Sequence, residues 1–567
     1  MDGNRARADT VRTVTRHDRI FVYALAADQE SQPGELWMIA RGKVTLARSW
    51  RALALAILVL AGIAGVWRVG EHSLTNLGLA TLAIGGAGLV AWWSTRRPVA
   101  AFGVLLVLAT LSRWTIELPI GNMRLEQPAI AFGLLALLYA RRLPDRATLR
   151  RLRPIVIAFL VYLGALTASS VLYSPDRAES LRMVIWIGLS MAGGLLAFML
   201  LFGGAPESAP RWLRLTAGGQ ASLGILIAVL YFTLGPIIVA GADPVPGMAG
   251  KIFGVSWEAN IFASLLAALS FFAIEQFRSR LRPASGALVA LVLVGVVVTQ
   301  TRGAYLGLAA GMITYAGVIL YRRHQPRRLI LPALVITGAI VFGAWATPVL
   351  IPGYRDPNPP INLTTPGWGR EFAVGHHLLP ALPNLSGPTE LAATGVPAPT
   401  PTPSPSTGAV PAQTPPPVVV TYPSDTFTFR LDRIPVAIKD WITDPIIGLG
   451  SNSFDQRHLD PTQTQAKVPD HIAILAVAAL YESGIVGATG LFIGFFLILR
   501  ALWRASWQRE ASGPLAAAYL GSLVSLLVAY QATNALNFSL IWLIAGAGMA
   551  IAVRISTGGA DETRQVA

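Results

Sequence analysis

The run VVVTQTRGAYLGLAAG, Val296 to Gly311, is almost wholly apolar, yet Arg302 stands in its middle. A guanidinium at bilayer depth costs at least ~2.5–3.5 kcal/mol. A chain that keeps one there either snorkels it to the interface or uses it as a fixed cation, and position alone leaves both readings open. Proton transfer near neutral pH calls for a histidine, and the chain has seven. Four of them, His376, His377, His458 and His471, fall in one long segment between apolar runs. Cysteine is absent, which excludes disulfides, thiolate-ligated zinc and thiol catalysis. There is no closely spaced His cluster beyond His376–His377 and no Gly-Lys-Ser/Thr phosphate loop. Neither a metal nor a nucleotide cofactor is expected.

The elements that must position these residues are membrane spans. The 567-residue chain is 53% hydrophobic and 13% charged, with mean hydropathy +0.54, against roughly 25% charged in soluble domains. Apolar stretches able to cross ~30 Å of hydrocarbon occur near 51–68, 75–94, 98–113, 127–140, 155–173, 181–203 and 214–237. Others lie near 259–276, 284–300, 303–321, 328–350, 484–501, 514–531 and 537–554. These patterns predict an all-α, polytopic transmembrane helix bundle of about fourteen spans, or as few as twelve. The net charge of +15 follows from basic connections between spans, and no nucleic-acid partner is expected.

Orientation follows from those connections. Residues 1–48 are polar and arginine-rich, without an apolar signal core, and read as a cytoplasmic tail. Starting there, Arg96, Arg97, RRLPDRATLRRLR (141–153), RSRLR (278–282), RRHQPRR (322–328) and RALWRASWQR (500–509) all fall on the cytoplasmic side. Every basic cluster then obeys the positive-inside rule. Both termini are expected in the cytoplasm and the chain in the cytoplasmic membrane. One connection, 351–483, becomes a large extracytoplasmic loop. Its stretch 396–420, VPAPTPTPSPSTGAVPAQTPPPVVV, reads as an extended insert with no core to bury. Helical apolar spacing returns over 434–443, and DPIIGLGSNSF (444–454) reads as a turn-rich loop.

Four segments in order resemble the O-antigen ligase and polymerase family, polytopic glycosyltransferases sharing a Wzy-type core. TQTRGAYLGL (299–308) is similar to its T-x-S-R-G-x-x-x-x-L element, with Thr301 in place of Ser. Arg430 to Phe454 resembles its loop helix ending in a P-hydrophobic-hydrophobic-G-hydrophobic-G turn, here Pro445-Ile446-Ile447-Gly448-Leu449-Gly450. HIAILAVAALYESGIVG (471–487) resembles the following element, a His leading into E-x-G and the next span. Here His471 lies farther upstream of Glu482 than in the family pattern, and Ile472 replaces an Asn. KIFGVSWEANIFASLL (251–266) is similar to an upstream G…N-x-x-A span entry. The resemblance covers roughly 210–500. It divides the chain into the tail 1–48, N-terminal helices 49–210, a ligase/polymerase-like core 211–500, and C-terminal helices with a tail, 501–567.

The resemblance implies a fold like that of the large-cavity transmembrane glycosyltransferases, with the outer loop roofing a groove. It also implies transfer of a glycan from an undecaprenyl-diphosphate carrier to a hydroxyl on a sugar or lipid-anchored acceptor, at the outer face and without a metal. Arg302 and Arg430 would then meet the diphosphate, since the planar guanidinium pairs two phosphate oxygens. Arg433 shares the face of Arg430 one turn on, His471 would serve as general base, and Glu482 and Asn260 would contact substrate. Glu258 and Asn260, at a span entrance, also read as polar packing groups. A polymerase with the same donor is the nearest alternative. A lipid-linked oligosaccharide flippase is the rival from another class, for which Arg302 and Glu275 are the available ionisable residues. Tags inserted at 143–149 and 324–326 are expected to report cytoplasmic, and one at 400–410 extracytoplasmic; a cytoplasmic report from 400–410 would invert the active face.

Overall fold

The computed structural model describes residues 74–112, 114–118, 121–234, 254, 256, 258–299, 301–323, 327–350, 426–458, 472–508 and 512–566. The first expected span (51–68), the Pro-rich insert and His471 lie outside the described residues. From 75–94 onward, every expected apolar segment falls on a helix. In chain order these are α1 (Leu74–Arg96), α2 (Pro98–Thr110), α3 (Glu126–Tyr139), α4 (Arg146–Leu172), α5 (Arg177–Phe202), α6 (Ala209–Leu234), α7 (Ala259–Arg280) and α8 (Pro283–Val298). They continue as α9 (Arg302–Arg323), α10 (Arg327–Leu350), α11 (Thr426–Trp441), α12 (Ser453–His458), α13 (Leu475–Ser506), α14 (Gly513–Ala529) and α15 (Ser539–Val566). Seven of the described helices are long and apolar enough to cross a membrane, and five more apolar helices are shorter. The expected count of about fourteen goes beyond those seven.

One element departs from the all-α expectation. Between α2 and α3 the chain forms a short antiparallel hairpin, β1 (Thr115–Leu118) and β2 (Gly121–Arg124), with Thr115 opposite Arg124. The apolar spacing around it is helical, and strands this short carry too few residues to show an alternating pattern.

Helices α7 and α15 form the centre of the bundle, each with 83% of its apolar window buried, against 33% for α4. A helix apolar on all sides needs neighbours all round it. The clearest device for close approach lies on α9. Gly303, Gly307 and Gly311 form a stripe on one face, and a side chain there would press on Ala532, the Ser525 carbonyl and the Gly521 carbonyl. Such small-residue stripes let helix backbones meet in lipid. The stripe seats the head of α9, and hence Arg302, beside the 530–538 connection. The glycines of TRGAYLGLAAG are therefore packing residues.

Glu275, one of the two ionisable residues named for a flippase, is already satisfied. Arg278 binds it with two hydrogen bonds of 2.8 Å, and the Tyr315 hydroxyl donates to it at 2.5 Å. This largely buried trio ties α7 to α9.

Candidate active site

The loop motif and the E-x-G motif are two halves of one structure. In a regular helix the N–H groups of Ile485 and Val486 would donate to the carbonyls of Tyr481 and Glu482. Here they donate instead to Pro445 and Ile446, at 2.9 and 3.1 Å. The carbonyls they leave are taken by the N–H groups of Leu449 (2.8 Å) and Gly450 (3.0 Å). The 445–450 turn is thus inserted into a break in α13, and every displaced backbone bond is replaced. Gly484 sits in the break at φ +63°, and Gly448 and Gly450 lie at φ +79° and +102°. A Cβ on Gly484 would overlap the Ile446 carbonyl, and one on Gly448 would overlap the backbone of Gly484. Glycine is required on both sides.

A ring of serines clamps this junction to the α4–α5 corner. Ser169 Oγ donates to the Glu482 carbonyl at 2.7 Å, Ser170 Oγ accepts from Ser451 N–H at 3.1 Å, and Ser180 Oγ donates to the Ser451 carbonyl at 2.5 Å. The Glu482 carboxylate is then held from the turn: Asn452 N–H donates to Oε1 at 3.2 Å, and Ser451 Oγ reaches Oε2 at 3.5 Å.

Glu482 lines a cavity of about 350 Å³ at this end of the bundle, together with Arg124, Glu179, Glu258, Asp455 and Asn537. Arg124 reaches it from the hairpin. It is 5% exposed, donates through Nη1 to the Asn537 carbonyl at 2.6 Å, and lies 3.9 Å from the centre of the Phe538 ring. Burial pushes its pKa below the usual arginine value, opposed by Glu126 and Tyr530, and it stays a cation at physiological pH. Glu258 accepts from Thr533 Oγ1 at 2.5 Å. Asn534 and Asn537 both line the cavity, and their side-chain oxygens are buried with no hydrogen-bond partner among the described residues. Buried acceptors without partners are costly and suit a ligand rich in hydroxyl donors.

Of the expected site residues, one is brought into the lining of this cavity. Glu482 lines it. Asn260 stands one step back, its Nδ2 3.4 Å from Glu258 Oε1. Ile472, next in sequence to His471, is in the wall. Arg302 is exposed and heads α9 outside the lining; its neighbour Gly303 packs on Ala532, which precedes the lining residue Thr533. Arg430 and Arg433 lie on α11, with Arg433 half-buried. Helix α11 docks on the head of α13 through a small core of Ala437, Leu449, Phe454 and Tyr481. On the same helix Asp440 binds His458 Nε2 at 2.6 Å, outside the cavity lining.

Sequence reasoning missed Arg124, Asp455, Asn534 and Asn537. The only available signal was Arg124-Leu125-Glu126, a charged pair at the mouth of an apolar run.

Alanine at Gly484 would pay about 1–2 kcal/mol for a left-handed backbone in addition to the overlap with Ile446. Gly484→Ala is expected to lower the unfolding temperature, whereas Ile485→Ala, at a half-exposed position, shifts stability by no more than ~0.5 kcal/mol. Thermal unfolding in detergent reads both, and a wild-type transition for Gly484→Ala would refute the interlock.

Residues 287–492 match the family model described as O-antigen ligase. No curated protein matches the chain. The matched stretch contains Arg302, Arg430, Arg433, His471 and Glu482, whereas Arg124, Glu258, Asn260, Asn534 and Asn537 lie outside it. Over that stretch, and not over the rest of the chain, the protein is similar to the O-antigen ligase family.

Proposed function

We propose that the protein transfers a glycan from an undecaprenyl-diphosphate carrier to an acceptor hydroxyl at the outer face of the cytoplasmic membrane, as an O-antigen ligase. The observation that carries this reading is the cavity in which the motif carboxylate Glu482, the buried cation Arg124 and the two unpartnered Asn oxygens meet. Its walls come mainly from the β1–β2 hairpin, the first turns of α5 and α7, the 451–455 segment, the head of α13 and the 530–538 connection, which the positive-inside orientation puts on the outer side.

In this reading the acceptor sugar lies in the cavity. Asn534 and Asn537 take hydrogen bonds from its hydroxyls, and Glu482 orients the attacking one. The acceptor oxygen bonds to the anomeric carbon of the donor as the bond from that carbon to the diphosphate oxygen breaks. His471 takes the acceptor proton. Negative charge grows on the departing oxygen, and fixed cations there lower the barrier. Arg302 and Arg430 serve the diphosphate at the membrane-facing mouth, and Arg124 supplies positive charge from inside. Arg433 supports Arg430 from the same helix face. No step calls for a metal.

Arg302→Lys keeps a charge but loses the bidentate fork. It is expected to lose transfer by about a hundredfold, the cost of one charge-stabilising donor, with normal membrane abundance. Glu482→Gln and Arg124→Gln should fall comparably, and prolonged chelation should leave wild-type transfer unchanged. The readout is polymer attached to the lipid acceptor in a deletion strain complemented with each variant. Wild-type transfer by Arg302→Lys would remove the diphosphate role from that residue. A single-repeat product in the deletion strain would favour a polymerase.

A further inference from the structure

A second cavity lies at the opposite end of the bundle. It has a volume of about 410 Å³ and sits between the first turns of α4, the last turns of α13 and α15. Three guanidiniums line it: Arg151 from α4, and Arg500 and Arg504 from α13. The rest of the wall is mostly apolar, including Ile155, Leu497 and Met549. Arg151 is eighteen residues before Ser169, and Arg500 eighteen after Glu482. At 1.5 Å per residue each is about 27 Å along its helix from the transfer site, close to the ~30 Å thickness of the hydrocarbon layer. The arginines therefore stand at the other membrane interface.

Their arrangement concentrates positive charge, although Arg500 and Arg504 are exposed. Arg500 and Arg504 are four apart on one helix face, where like charges repel, and Arg151 adds a third charge from the neighbouring helix. Arg151 is held in place by a 2.9 Å hydrogen bond to Ser556 Oγ. No carboxylate among the described residues lines the cavity. Arg554, nearby on α15, contrasts with them: it pairs with Glu207 at 3.3 Å and is not in the lining. A free phosphate would match the charges but leave the apolar wall unused. A lipid headgroup places its phosphate among the arginines and its glycerol and first methylenes against Ile155, Leu497 and Met549. Basic pockets between helices at the cytoplasmic interface are suited to such headgroups.

We infer that this cavity binds the phosphate headgroup of an anionic phospholipid of the leaflet opposite the transfer site. The site is separate from the glycan chemistry, and its test does not depend on transfer.

The full-length protein is reconstituted in nanodiscs of phosphatidylcholine containing a minor fraction of phosphatidylglycerol, and retained lipid is counted by native mass spectrometry. The wild type should hold phosphatidylglycerol selectively. Removing two interfacial arginines in R500Q/R504Q should weaken that binding about thirtyfold. A charge-matched control, R141Q/R142Q, at exposed positions outside the cavity, should bind as the wild type does. Equal retention by wild type and R500Q/R504Q would overturn the inference, and so would equal loss in the control, which would indicate a general charge effect. Inorganic phosphate should not displace the lipid. Displacement at matched concentrations would identify a free-anion site and overturn the lipid assignment.

Discussion

The site depends on one exchange of backbone hydrogen bonds. Helix α13 breaks at Gly484, and the 445–450 turn occupies the break, accepting two N–H groups and donating two of its own. A break of this kind in lipid is costly because each unsatisfied backbone group there costs several kcal/mol. Irregular backbone at membrane depth is tolerated where protein replaces the lost partners, and here the replacement is complete. The exchange fixes Glu482 relative to Asn452 and Ser451 and so delivers the carboxylate to the cavity. It also explains why the two motifs occur together: each supplies the backbone partners that the other lacks.

That coupling bears on the loop. Helix α11 is anchored by its own small core on the head of α13, and the turn after it is locked into the break. The segment carrying Arg430 and Arg433 is therefore attached to the bundle through the junction that holds Glu482. The Pro-rich insert lies upstream of this anchored part, and loop closure depends only weakly on length. A long insert can accumulate there without disturbing the junction.

Much of this was legible in the sequence. The helices from 75–94 onward follow from apolar run length, and the 445–450 and 482–484 motifs were legible as separate glycine-spaced elements, while their interlock appears only in the backbone hydrogen bonds. Arg124 was not legible: charged residues flank nearly every apolar run in this chain, and nothing local separates the one that turns inward. The hairpin that carries it is too short to show a period of two. Asn534 and Asn537 were hidden for a related reason. Asn is common in turns, and only the cavity distinguishes these two. Arg302 shows the opposite case, in which the sequence made the residue conspicuous while the fold leaves it exposed at the head of α9 beside the cavity wall.

The central claim is that acceptor chemistry takes place at the cavity held open by this junction. Electron cryo-microscopy of the full-length protein in nanodiscs with a non-hydrolysable undecaprenyl-diphosphate sugar and a sugar acceptor tests it most directly. The account predicts acceptor density within hydrogen-bonding distance of Glu482, Asn534 and Asn537, with the diphosphate on the Arg302 side of the cavity mouth. Both ligands bound elsewhere, with the Glu482 cavity filled only by solvent, would contradict it.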